Sequence, residues 1–158
     1  MALLAENIKF YQPQTWAEGD THGGDINTAA EIPASGLNNV FDNVSDAERQ
    51  AGDTDYRKIY IRNENDQDWT NVKAWIEQFT PATNDEIWIT ASGTNSDTTA
   101  DASSYTFVQP SDISDANVQD LGTLAASGGY HHLWLKRVVD AGGAGYTNNS
   151  FIIKFAST

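Results

Sequence analysis

A chain of 158 residues, 39% hydrophobic and with five tryptophans, can build one domain with a real core and is short for two. It has no cysteine, which excludes disulfide frameworks, zinc fingers, iron–sulfur clusters and thiol catalysis. Nine Lys plus Arg against 22 Asp plus Glu give a formal net charge of −13, so the basic footprint needed for nucleic acid or anionic lipid is absent and a partner with a basic patch is favoured.

The opening "MALLAENIKFYQ" has neither a basic leader nor a long apolar run, and no stretch reaches transmembrane length, which predicts use without export and no membrane partner. "ENIKFYQP" reads as a short strand with Ile8 and Phe10 on one face, closed by Pro13. Residues 12–44 are rich in Gly, Asn, Asp, Thr, Ala and Pro and show no sustained period. They read as an extended loop or arm, with Trp16, Ile26, Ile32, Leu37, Val40 and Phe41 as its anchors.

"SDAERQAG" places Ser45 and Glu48 at the two ends of a capping box, with Gly52 as the stop, and predicts a single helical turn. The charges of 45–63 are therefore helix-end chemistry, and not a catalytic cluster of carboxylates and arginines. Arg57, Ile59 and Ile61 then alternate with Tyr56, Lys58, Tyr60 and Arg62, the period of a strand. After the polar turn "NENDQD", Val72, Ala74 and Ile76 alternate with Lys73, Trp75 and Glu77. "EIWITA" places Ile87 and Ile89 inward and Trp88 outward, and "YTFVQP" reads as another short strand. Over 111–124 the spacing of Val118, Leu121 and Leu124 suits a helix, while Gly122 and Thr123 suit a strand. "GGYHHLWLKRVV" and "SFIIKFA" are strands flanking a Gly-rich connection.

Several short strands with turns between them and no long amphipathic helix predict an all-β fold. The expected architecture is a single antiparallel β-sandwich over 1–158, Ig-like or jelly-roll-like, with a long N-terminal arm and one short helical turn.

The chemistry-bearing residues are sparse. Asp20, His22 and Asp25 fall in "GDTHGGDIN", but without an EF-hand pattern this reads as a Gly-rich turn, and no metal or cofactor is expected. His131 and His132 are adjacent on a strand, and alternation sends them to opposite faces. There is no G-x-S-x-G elbow and no P-loop, so an enzyme is not expected. Trp75, Trp88 and Trp134 lie on the strand face opposite the aliphatic stripe. There they could stack on sugar rings if exposed and aligned, or be covered by a loop or a subunit.

The segments "GLNNVFDNVSDAERQAGDTDYRKIYIRNEN", "NVKAWI" and "HHLWLKRVVDAGGAGYTNNSFIIKF" carry a resemblance. With Asn38, Asn39, Glu48, Arg49, Gly52, Tyr56, Arg57, Lys58, Trp134, Arg137 and Gly142 in place, the chain resembles a family of small structural proteins of tailed-bacteriophage virions. It departs at Val138–Asp140, where that family's turn carries Thr and Pro. The resemblance implies a virion protein assembled in the host bacterial cytoplasm, with other virion proteins and copies of itself as partners. A capsid decoration (cement) protein is the leading expectation, and a tail or baseplate component comes next. A carbohydrate-binding module of a fibre, using its tryptophans, is the rival of a different class. The expected partner-binding anchors are Trp16, Ile26, Ile32, Trp75 and Trp88.

Overall fold

The computed structural model describes residues 3–36 and 38–158; Leu37, an expected anchor of the arm, lies outside the described residues. After a 3-10 turn at Ala5–Asn7 come β1 (Ile8–Thr15), β2 (Gly23–Ile32), α1 (Asp46–Ala51), β3 (Asp53–Asn63), β4 (Trp69–Gln78), β5 (Asp85–Thr90), α2 (Thr99–Ala102), β6 (Gln119–Leu124), β7 (Gly129–Val139) and β8 (Ile152–Ser157). They form two antiparallel sheets, β2-β1-β3-β7-β5 and β6-β4-β8, which face each other as a sandwich.

Strand alternation builds the core. Ile59 and Ile61 of β3, Leu133 and Leu135 of β7, and Ile87 and Ile89 of β5 point inward from the larger sheet. Val72, Ala74 and Ile76 of β4 with Leu121 and Leu124 of β6 answer from the smaller one. β3 and β7 pair over eleven residues, from Asp53↔Val139 to Asn63↔Gly129, and form the spine of the larger sheet.

The arm of 12–44 is not a free loop. β1 runs on through Pro13, which sits at a register shift opposite Ile26, where a missing N–H is tolerated. β2 pairs back on β1, from Phe10↔Ile32 to Thr15↔Gly23, with residues 27–30 bulging out of the ladder. The 111–124 ambiguity resolves to β6, and "YTFVQP" makes only an isolated bridge, Val108 to Ile89. A second helical turn, α2, stands where one was expected in total; Asp101 Oδ2 accepts from the Thr98 N–H at 2.9 Å, closing its N-terminus.

The two sides of the sandwich end differently. On the β5 side, Ile89 and Val108 exchange backbone hydrogen bonds of 2.9 Å, Gln109 donates to the Ile87 carbonyl at 3.0 Å, and Ile76 N–H donates to the Pro110 carbonyl at 2.8 Å. The segment 107–119 thus crosses from the larger sheet to the smaller and closes that side. On the β1/β8 side no strand among the described residues closes the gap, and residues of 33–36, 38–44 and 144–151 flank a cleft of about 860 Å³.

The capping box of α1 forms as expected: Ser45 Oγ accepts from Glu48 N–H at 3.2 Å, and Glu48 Oε2 accepts from Ser45 N–H at 2.5 Å. Replacing Ser45 with Ala should lower the unfolding free energy by about 0.5–2 kcal/mol in chemical denaturation. Glu48→Gln should stay within about 0.5 kcal/mol, because Gln also completes the box.

Candidate functional site

The outer face of the larger sheet is covered, although alternation alone would leave it to solvent. Lys58 and Tyr60 of β3 and His132 and Trp134 of β7 are all at or below 3% exposed there. The 92–98 loop and the turn before β2 lie over them. Carbonyl oxygens of Gly24, Thr94, Asn95 and Asp97 ring the Lys58 ammonium at 3.1, 3.0, 2.7 and 3.3 Å. Tyr60 Oη reaches two of the same carbonyls, Gly24 at 2.8 Å and Asn95 at 3.0 Å. Burial pushes Lys58 down to about 8, against the pull of Asp97, Asp25 and Asp101, so it stays mostly charged at neutral pH.

Two histidines seal the cage. β1 and β3 pair only as far as Tyr11↔Tyr60, so the next N–H on that edge of β3, at Lys58, has no strand carbonyl to meet. His22 Nε2 accepts it at 2.8 Å, which makes the buried ring neutral. His132 Nε2 donates to the Ser92 carbonyl at 3.0 Å, and its Nδ1 meets the Asn95 side-chain amide at 3.1 Å. Burial lowers both rings to about 4, helped at His22 by Arg57 and Lys58. Trp134 packs between these groups, with His22 at 6.0 Å edge-on and the Lys58 ammonium 5.4 Å from its ring centre. The His131 and His132 rings lie 4.8 Å apart, closer than strict alternation predicts, because His131 folds back and its Nδ1 meets the His132 carbonyl at 2.6 Å. Asp25 is engaged by its neighbour Ile26 N–H and by Tyr130 Oη. Among the described residues, no three His, Asp or Glu side chains gather where they could hold a metal.

A second cluster docks the rest of the arm. Arg57 and Arg137 point inward near the Asp53 end of the larger sheet, where the smaller sheet does not reach them. The Phe41 ring takes its place, 5.6 Å from one guanidinium carbon and 5.0 Å from the other. Glu18 pairs with Arg57, and Asp55 and Asp42 with Arg137, whose Nη1 also donates to the Asp42 carbonyl at 2.7 Å. The Trp16 ring also lies against Arg57, 5.8 Å from its guanidinium carbon.

The expected partner anchors are therefore dispersed. Ile32 is buried at the β1–β2 pair, and Trp16 and Ile26 are half-buried against their own domain. Trp75 is on the outer face of the smaller sheet, but it is buried beneath the Lys154 ammonium, and its indole N–H donates to Glu77 at 2.7 Å. Trp88 is half-buried under Lys136 on the larger sheet, so Trp75 and Trp88 belong to opposite sides of the sandwich and make no common platform. Among the described residues, the large apolar side chains left exposed were not singled out by the sequence: Leu3, Leu4, Phe79, Tyr146 and Ile152.

Both histidines bind a proton far more readily in the unfolded chain than in the folded one. Their contribution is constant above about pH 6.5 and is lost as pH falls towards 4, by about 3 kcal/mol each. His22→Gln, which keeps an acceptor for Lys58 N–H, should flatten the thermal-stability profile between pH 6.5 and 4; an unchanged slope would place the titration elsewhere. Lys58→Met should cost about 3–5 kcal/mol, because it removes the shared donor of the Gly24, Thr94, Asn95 and Asp97 carbonyls.

No family model, curated protein or solved structure matches this chain.

Proposed function

We propose that this chain is a structural protein of a tailed-phage virion, and in the first instance a decoration protein seated on an assembled capsid. The observation that carries the reading is where the residues behind the resemblance fall. Arg49 of α1 accepts from Gly142 N–H at 2.9 Å through its carbonyl and donates to the Gly143 carbonyl at 2.9 Å through its guanidinium. Tyr56, Arg57 and Lys58 on β3 lie beside Lys136, Leu135 and Trp134 on β7, and Asp55 lies opposite Arg137. The capped turn, the spine of the larger sheet and the Gly-rich turn after it are thus one connected unit. The motif residues of a resemblance that covers most of residues 36–155 thus gather largely into a single framework.

The charge supports a docking role. Seven of the nine basic side chains pair with carboxylates, Lys58 sits in its carbonyl cage, and Lys136 lies over Trp88 and Phe107. The eight ion pairs engage eight of the 22 acids and leave fourteen without a basic partner among the described residues. Such a surface steers the protein towards a basic lattice and away from nucleic acid. A tail or baseplate position uses the same chemistry. A fibre module reading glycans would want exposed, aligned tryptophans, and Trp75 and Trp88 are neither.

The test is re-addition of purified protein to particles stripped of it, followed by co-sedimentation and image reconstruction. Saturable occupancy at fixed positions on heads is expected, with an association rate falling about tenfold or more from low to high ionic strength. Occupancy confined to tails would move the protein within the virion. No binding to either, with a clear glycan ligand on an array, would end the proposal.

A further inference from the structure

His22 is met by a backbone donor at each ring nitrogen: Lys58 N–H at 2.8 Å on Nε2 and Ala17 N–H at 3.3 Å on Nδ1. A neutral imidazole accepts at one nitrogen only, and the shorter contact fixes that as Nε2. An imidazolium accepts at neither, so a second ring proton would set N–H against N–H at the edge of β3. The ring is fully buried, and no solvent relieves that opposition.

What the ring holds down is a separate layer. The turn of 19–24 and the segment running into α2 are joined by backbone bonds, Gly24 N–H to the Asp97 carbonyl at 2.9 Å and Thr99 N–H to the His22 carbonyl at 2.8 Å. They lie so close that a Cβ at Gly23 would stand 2.4 Å from the Asp97 carbonyl oxygen. Beneath them Trp134 packs with Ala102 and Phe107 in a small apolar cluster distinct from the core between the sheets. The layer rests on β3 and β7 mainly through polar contacts, those of the Lys58 cage and of His22 and His132. Its release would uncover Tyr60, His132 and Trp134 and leave the inter-sheet core closed.

The charges around the two rings oppose their protonation in the closed layer. Arg57 and Lys58 of β3 disfavour a cation at His22, and His131 and Lys58 disfavour one at His132. Asp97 favours the His132 cation, but it also acts with Asp25 and Asp101 on Lys58. Glu18 and Asp20 of the turn are exposed, and Glu18 is paired with Arg57. With both rings protonated, three cations would crowd the dry space beneath the loop.

We propose that His22 and His132 form an acid-sensitive latch, whose protonation lifts the 19–24 turn and the 92–102 segment together off the outer face of the larger sheet while the sandwich stays folded. The device belongs to the chain itself and does not depend on a virion. Each ring takes up its proton near pH 6.5 when uncovered and about 4 when covered, so the closed layer is favoured above that range and loses its advantage as pH falls. From about pH 7 to about pH 5, opening should become roughly twentyfold more favourable per histidine. Ordinary carboxylates stay mostly ionised over that interval, which separates this step from general acid denaturation.

Amide hydrogen exchange on the full chain, followed by NMR and corrected for the intrinsic rate at each pH, reads the opening directly. Protection at Gly24, Lys58 and Thr99 should fall about tenfold or more from about pH 7 to about pH 5, with the β4–β8 ladder unchanged. His22→Gln, which keeps an acceptor for Lys58 N–H, and His132→Gln should each remove part of that fall, and the double variant nearly all of it. Constant protection at the three amides, an equal fall throughout the β4–β8 ladder, or a full wild-type fall in either single variant would overturn the proposal.

Discussion

The Lys58 ammonium, buried and ringed by four backbone carbonyls, is the constraint around which the larger sheet is organised. A charge taken out of water is expensive unless its donors are all met. Here the acceptors come from two segments far apart in sequence, the turn at Gly24 and the loop of 94–97. Neither has an apolar stripe of its own to hold it down. The ammonium therefore pins both across the outer face of β3 and β7, and in doing so buries Trp134, His132 and Tyr60 beneath them. Removing the charge alone would leave the carbonyls facing one another. The charge and the loops over it are a single unit.

The inner face of the same sheet meets a related problem near its Asp53 end, where the three-stranded partner does not cover it. Arg57 and Arg137 would leave a charged gap at the edge of the core. Phe41 fills it as an apolar surface that tolerates guanidinium neighbours, and Glu18, Asp42 and Asp55 neutralise the charges from the rim. These are the contacts that turn the supposed arm into part of the domain. The 107–119 crossover closes one flank with strand-like hydrogen bonds. The flank closed by Phe41 and the 144–151 segment has side chains but no ladder, and it is there that the cleft remains.

Much of this was legible in the sequence. Strict alternation located β3, β4, β5, β7 and β8 and assigned their inward faces. Ser45 and Glu48 gave the capped turn. α2 carries the same kind of signal in Thr98 and Asp101, in the polar stretch between "EIWITA" and "YTFVQP". β2 was hidden because "GGDINTAAEI" has two glycines, few β-branched residues and a four-residue bulge; pairing with β1 makes it a strand, and pairing is not a local property. β6 was obscured by helix-like spacing, although Gly122, at φ +68°, fits a break in a ladder better than a helix interior. The fate of Trp75 and Trp88 was beyond reach: parity gives the face a side chain points to, and distant segments decide whether that face is dry. A hint lay in the outer stripe of β3 and β7. Lys58, Tyr60, His132 and Trp134 make an aromatic-rich face, which suits a second layer better than open water.

The same distribution separates the roles that charge and apolar surface can play in assembly. Fourteen acids without basic partners among the described residues make a long-range field that repels like copies and favours approach to a basic surface. That field acts on encounter rates and fades within about 8 Å at physiological salt. It does little to hold a complex once formed. Lasting contact has to come from groups that lose water on docking, and the chain has few to offer, because Trp16, Ile26, Ile32, Trp75, Trp88 and Trp134 are wholly or partly covered by its own fold. Among the described residues the large apolar side chains left exposed are Leu3, Leu4, Phe79, Tyr146 and Ile152. Charge and apolar surface thus act at different stages of any contact this chain makes: the unpaired acids govern the approach, and the few exposed apolar side chains limit how firmly a complex holds.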